Sequence, residues 1–291
     1  MEKKKQFFLT LNKQVPMTSK DTFLLYEKLF SNKKIDLILS DECFIKNILL
    51  IEKSLAKVNA ECKIIPHAAY LNIKKSLNTY KINYKNLSND LDVSGVITVN
   101  IIESLKNNIS DIYKQYLHYG ATSQDILDTA LILQIRDLKS LLFVNLEKLS
   151  KELLSLMSNN SNSIMLGRTR NTQATLTTFG LKVSNWLSPL LRHTKRLKNV
   201  YNGGLLNLQF GGSVGNLAMY KKKGLLVKKK LSKKLKLNYK SSVWHNQRDN
   251  LVEFTNILSF ITGTIGKIAK DLLFMSQSEV NEIAFTRSGK S

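Results

Sequence analysis

Apolar residues recur three and four positions apart along most of the 291-residue chain, and polar stretches separate the runs. After the capping pair Ser40-Asp41, residues Phe44, Ile48, Ile51, Leu55 and Val58 form one continuous stripe. That pattern predicts a helix ending near Cys62, with Pro66 blocking its continuation. A second helical stretch is predicted around Ala68–Leu77, and the Asn-, Lys- and Ser-rich segment Tyr80–Asp92 reads as a loop with a short helix in it. Residues 1 to about 38 form a lysine-rich lead-in of short helices or coil. On β-branched content alone, Val93–Ile102 reads as a strand. Further on, Leu142, Leu146, Leu149, Leu153 and Leu156 carry a long helix over about Asp125–Ser158. Phe179, Val183, Trp186, Leu190, His193 and Leu197 mark a helix over roughly 175–200, with His193 at the stripe's edge as a packing residue. The last stripe, Phe254, Leu258, Ile261, Ile265, Ile268, Leu272 and Met275, contains Gly263 and Gly266, which would let a neighbouring helix come close. With Pro16, Pro66 and Pro189 as the only prolines, few sharp breaks interrupt these elements, and the predicted fold is an all-α helix bundle.

Charge complicates this picture. The formal net charge is +22, and residues 221–236 contain no acid. Nucleic-acid binding is the first function such an excess brings to mind. Leucines fall between these lysines at helical intervals, however, and no aromatic residues for base stacking are interleaved, so the simpler reading is an amphipathic helix with a solvated basic face. A positive surface would also draw anionic substrates. No apolar run approaches the roughly 18 residues of a membrane span, and the start lacks a secretory signal pattern, so the expected location is cytoplasmic. Cys43 and Cys62 give no disulfide framework, and His67, His118, His193 and His245 are too scattered to suggest a metal site.

Candidate chemistry is concentrated in His118-Tyr119-Gly120-Ala121-Thr122-Ser123-Gln124-Asp125. Ser123 or Asp125 can cap the helix that follows, whose backbone N–H groups would join the Thr122 and Ser123 hydroxyls in a site suited to a carboxylate. An ordinary capped helix start without a ligand explains the same cluster.

These residues resemble the His-x-Gly-x-Thr-Ser-Gln-Asp signature of the fumarase/aspartase superfamily. Gly167-Arg168-Thr169 with Gln173-Ala174 and Thr177-Thr178-Phe179-Gly180 resembles its second region. Gln209-Phe210-Gly211-Gly212-Ser213-Val214-Gly215, with Trp244-His245-Asn246-Gln247-Arg248-Asp249, is most similar to the 3-carboxy-cis,cis-muconate cycloisomerase group. The resemblance implies a small helical N-terminal domain over 1–115, a central long-helix bundle over 116–291, and a homotetramer whose sites form where subunits meet. It also implies that Val93–Ile102 opens a helix. The implied activity is cofactor-free addition or elimination beside a carboxylate of a small polycarboxylic acid, here most closely lactonisation of 3-carboxy-cis,cis-muconate in protocatechuate catabolism. Thr122 and Ser123 would hold a substrate carboxylate, and His118 and Gln124 would shape the pocket. Thr169 and Gln173 would add polar contacts, and Arg168 and Arg248 positive charge.

Several residues depart from the pattern. Arg170 stands where fumarases and adenylosuccinate lyases carry His, Thr172 stands in place of a glutamine, and Asn216 in place of a small residue. The His-Asp pair of adenylosuccinate lyases is missing near Val93. The serine proposed as carbon base in the superfamily matches Ser291, the last residue, so the expectation is an incomplete bundle, no C-terminal domain and little activity. Two rivals stand beside the cycloisomerase reading: an adenylosuccinate lyase, and a non-catalytic oligomerising or nucleic-acid-binding remnant.

Overall fold

The structure, a computed structural model, describes residues 31–284 together with Leu29. Helix α1 (Lys33–Leu39) leads into α2 (Asp41–Glu61), which the Ser40 side chain caps by accepting from the Cys43 N–H. Ile48, Ile51, Leu55 and Val58 of the predicted stripe are buried and Phe44 is half-buried. Pro66 precedes α3 (His67–Thr79), as its fixed φ favours. Next come α4 (Tyr84–Ser94), closed by Gly95 in the left-handed conformation, and α5 (Ile97–Lys106). Val93–Ile102 is therefore a helix junction and not a strand. A single turn, α6 (Asp111–Lys114), precedes the 37-residue α7 (Ser123–Asn159).

Beyond α7, where the periodicity predicts no element before about residue 175, the chain forms a small sheet. Strands β1 (Ile164–Thr169) and β2 (Thr172–Thr178) form an antiparallel hairpin with a bulge between Leu166 and Arg168. Its two-residue loop, Arg170-Asn171, has φ of 51° and 64°, the double left-handed form that matches strand twist. Helix α8 (Phe179–Val200) starts only after the Thr178 cap, so residues 175–178 belong to β2 and not to the predicted helix. A π-turn (Tyr201–Leu205) and a 3₁₀ turn (Ala218–Lys223) lead to α9 (Gly224–Leu235), and α10 (Asp249–Met275) follows.

Helix α8 packs along both α7 and α10. Around the first half of α7, residues from α2, α3, α5, α9 and the start of α10 form the main core, with Ile48, Ile126, Leu133, Phe210 and Leu231 at its centre. A smaller cluster of Leu153, Val183, Trp186, Leu190, Ile268 and Met275 fills the far end. His193 is buried as a packing residue, with its ring nitrogens facing Thr264 Oγ1 at 3.0 Å and the Arg196 guanidinium at 2.9 Å. Gly263 and Gly266, predicted to admit a neighbour, have no atom within 4 Å of where a Cβ would sit. The basic segment is helical as expected, but its solvated face is not all basic: Lys228 is fully buried, while Leu225 and Leu226 are about half exposed. No helix among the described residues is long and apolar enough to cross a membrane.

Candidate active site

Asp125 organises the start of α7. The cap is Thr122, not Ser123 or Asp125 as the residue types suggested. Thr122 and Asp125 form a reciprocal capping box in which Asp125 Oδ2 accepts from the Thr122 N–H at 3.2 Å. Asp125 is wholly buried, and its two oxygens also accept from Gln209 Nε2 (2.9 Å), Gly211 N (3.0 Å) and Gly212 N (2.8 Å). One carboxylate thus fixes the helix start and clamps the 209–212 loop across it. Gly212 has a φ of +75°, and a Cβ there would lie 3.3 Å from the Gly120 carbonyl oxygen, so the close approach of the two loops requires glycine. Gln209 Oε1 accepts from the Trp244 N–H at 2.7 Å, which joins the two halves of the third sequence block, and the Gln209–Asp125 bond ties that block to the first.

His118 sits beside this hub in the left-handed region, φ 58°. Its Nδ1–H donates to Glu52 Oε1 at 2.6 Å, and Glu52, on α2, is buried with its second oxygen unpartnered. Burial pulls the imidazole toward its neutral form. The charge and hydrogen bond of Glu52, helped by Asp125, outweigh that pull and hold its pKa above the ordinary 6.5. A cavity of about 260 Å³ opens here, lined by Thr98, Ile102, Glu103, Lys106, His118 and Ser123 among others. Ser123 is the first residue of α7, where N–H groups have no intrahelical acceptor and the helix dipole favours an anion.

The other predicted residues are placed differently. Thr122 is committed to the cap, and Gln124 Nε2 donates to Asp128 Oδ1 at 2.7 Å. Arg248 Nη1 donates to the same oxygen at 2.7 Å and its guanidinium lies over the Trp244 ring, so its charge is largely balanced by a buried carboxylate. His118, Ser123, Gln124 and Arg248 are thus gathered at one end of α7.

Arg168, Thr169 and Gln173 are not with them. They lie on the hairpin, beyond the other end of a 37-residue helix, about 55 Å away at 1.5 Å per residue. There Arg168 makes a two-pronged ion pair with Glu282 at 2.8 and 2.9 Å, and Thr169 O accepts from Thr172 Oγ1 at 2.6 Å. Gln173 is exposed opposite Arg168. Ser291 lies outside the described residues. Two participants escaped the sequence reading. Glu52 was hidden in an apolar stripe 66 residues from His118, with only its position between Ile51 and Leu55 as a signal. Lys228 was hidden in a run of lysines; its Nζ donates to Ser241 O (3.3 Å) and Ser242 O (2.8 Å), just ahead of Trp244.

The sequence profile of a lyase family matches residues 25–289. The 3-carboxy-cis,cis-muconate cycloisomerase of Acinetobacter baylyi is 34% identical over 264 residues, 89% of this chain and 58% of the relative. The crystal structure of a fumarate lyase from Mesorhizobium sp. BNC1 matches with a TM-score of 0.80 and 34% identity, over 86% of this chain and 59% of that one. The structure of the 3-carboxy-cis,cis-muconate lactonizing enzyme from Pseudomonas putida gives 0.84 and 33%, over 88% and 59%. The chain therefore spans a little under three fifths of the length of the first of these relatives. The family profile, the helical architecture and the three sequence blocks agree: the chain belongs to the lyase family of the fumarase/aspartase superfamily.

Proposed function

We propose that the protein acts on a small polycarboxylate by addition or elimination across a carbon–carbon bond next to a carboxylate, most closely the lactonisation of 3-carboxy-cis,cis-muconate. The observation that carries this reading is the anion cradle at the start of α7: Ser123 and the helix N-terminus on one side, and on the other an imidazole whose affinity for a proton buried Glu52 raises. In the lactonisation, a substrate carboxylate oxygen bonds one alkene carbon while the other takes a proton. Charge builds on the carboxylate beside that second carbon, and preorganised backbone N–H, hydroxyl and imidazole donors stabilise it. No net atoms are gained or lost.

The separation of the two halves of the predicted site by the length of α7 supports assembly from more than one copy, with the hairpin of one chain meeting the α7 start of another. Open space over Gly263 and Gly266, and the half-exposed Phe260 and Ile265 on α10, favour a helical neighbour there. A homotetramer in the cytoplasm is the form the reading predicts.

The test is turnover of 3-carboxy-cis,cis-muconate by the protein at its natural length, followed as loss of conjugated-diene absorbance and formation of the lactone. Ser123→Ala and Glu52→Gln are expected to cut kcat/KM at least about tenfold each, the effect of losing one aligned donor. Absence of turnover, with folding and assembly intact, refutes the assignment.

A further inference from the structure

A cavity of about 580 Å³ lies between α4, α5 and the segment that joins α3 to α4. It borders a different face of α5 from the cradle, and Glu103 is the lining residue the two share. Helices that pack together ordinarily meet through apolar stripes. Helix α5 does turn Thr98, Ile101, Ile102 and Leu105 into the protein, where all four are buried. Its row Asn100, Glu103, Ser104 and Asn107, spaced three, one and three apart, forms a separate polar stripe, and that stripe lines the cavity. Opposite it, the start of α4 and its cap bring Asn86 and Asn83. Leu87 anchors α4 in the main core, so the polar cleft beside it is held open by packing at one point.

The hydrogen bonding of these amides is incomplete. Asn83 caps α4 by accepting from the Asn86 N–H at 3.1 Å, which commits its oxygen and not its NH₂ group. Asn100 Nδ2 is buried and has no acceptor among the described residues. A buried N–H without an acceptor is unfavourable, and an oxygen brought by a ligand would satisfy it. Charge narrows the choice of ligand. Lys81 and Glu103 contribute one charge of each sign to the lining, and Glu103 is already paired with Lys106 at 2.7 Å. On a chain of net charge +22, the lining is thus close to neutral.

We propose that this cavity binds a neutral polyhydroxylated ligand, a monosaccharide or cyclic polyol, with Asn100 as the donor to one of its oxygens. An amide side chain offers two donors and an acceptor oxygen, and a hydroxyl both donates and accepts, so neighbouring hydroxyls match a row of amides. The C–H face of such a ring suits Tyr80 and Leu87 in the same lining. A carboxylate would call for a net cation here. A nucleoside shares the hydroxyls but adds a flat base, so the two are separable by experiment.

The test is an NMR titration of the full chain, carrying isotope-labelled asparagine, with D-glucose, with myo-inositol and, in a separate arm, with adenosine. At least one of the two polyols is expected to shift the side-chain NH₂ signals of Asn83, Asn86 and Asn100 saturably, and adenosine to bind more weakly. Asn100→Leu keeps the volume and removes the donor, so the affinity read from Asn83 and Asn86 is expected to fall at least about tenfold. Its melting temperature is expected to stay level or rise, because the orphaned N–H is gone. Asn107→Ala, at the end of the stripe, is expected to weaken binding by about threefold, a lost exposed hydrogen bond, and it gives a second reading of the site. Asn202→Ala removes an exposed amide elsewhere and is expected to change nothing. No saturable shift with either polyol, an unchanged affinity in Asn100→Leu or in Asn107→Ala, an equal loss in Asn202→Ala, or adenosine bound as tightly as the polyols overturns the proposal. Polyol binding without turnover keeps this site and sinks the activity proposed above; turnover without polyol binding does the reverse.

Discussion

Raising the pH from about 8 to about 10 is expected to stabilise the wild-type protein more than its Lys228→Met variant. Lys228 is fully buried on α9 and donates to two backbone carbonyls. Burial lowers its ammonium pKa from 10.5 to about 8, and the charge of Asp125 offsets this only in part. Between those two values the unfolded chain holds a proton that the native protein has released, so stability rises with pH. Below about pH 8 both states are protonated and the penalty is constant. In full, the displacement corresponds to roughly 3 kcal/mol, of which about 2 kcal/mol is recovered between pH 8 and 10. Methionine fills similar space and carries no proton, so the variant lacks this gain. It also leaves two carbonyls without a donor, at about 1–3 kcal/mol each, which is why the pH slopes and not the absolute stabilities are compared. Other titrating groups, including the phenols of Tyr201 and Tyr220 that burial pushes up, act in both proteins and cancel. Urea denaturation at several pH values and constant ionic strength gives the slopes. Parallel slopes for the two proteins refute the reasoning.

Three further outcomes follow from the site. Asp125→Asn is nearly isosteric but turns an NH₂ toward backbone donors, and is expected to cost about 3 kcal/mol or more; a loss under about 1 kcal/mol in denaturation would show that the clamp matters little. Glu52→Gln removes the charge that raises His118, so the imidazole titration followed by NMR is expected to move down. In wild type, the stability from this pair is present below 6.5 and fades as the pH rises through the raised pKa. An unmoved titration contradicts this account. Gly212→Ala forces a Cβ against the Gly120 carbonyl in a left-handed backbone and is expected to lose about 1–3 kcal/mol, and an unchanged melting temperature would argue against the tight loop crossing.

The long helices were readable because their partners are apolar and their period is strong. Ile48, Ile51, Leu55 and Val58 on α2, and Phe254, Ile261, Ile268 and Met275 on α10, are buried as the stripes require. Ile265, on the same α10 stripe, is 41% exposed, since period alone does not say whether a stripe meets its own chain or another. The hairpin was hidden because most of its residues are exposed and give no alternation, and its turn uses Arg-Asn in place of the usual Asn-Gly. Thr172, Thr175, Thr177 and Thr178 were the signal available. At the α7 start, the residue types identified the region but not the division of labour: Thr-x-x-Asp spelled the capping box, yet nothing local shows that Gln124 and Arg248 converge on Asp128. Such long-range pairings follow from packing and leave no periodic trace.

The clamp around Asp125 also bears on how the chain is made. Its donors at Gln209, Gly211 and Gly212 lie 84, 86 and 87 residues downstream, and Asn59 donates to a tyrosine hydroxyl 161 residues away. At about 5–20 residues per second, a ribosome needs on the order of 5–20 s to pass from α7 to that loop. Throughout that interval the nascent α2–α7 segment carries a carboxylate that cannot be buried without its donors. The burial of Asp125 seen in the folded protein therefore requires the later loop, and the start of α7 is completed only by a segment made well after it.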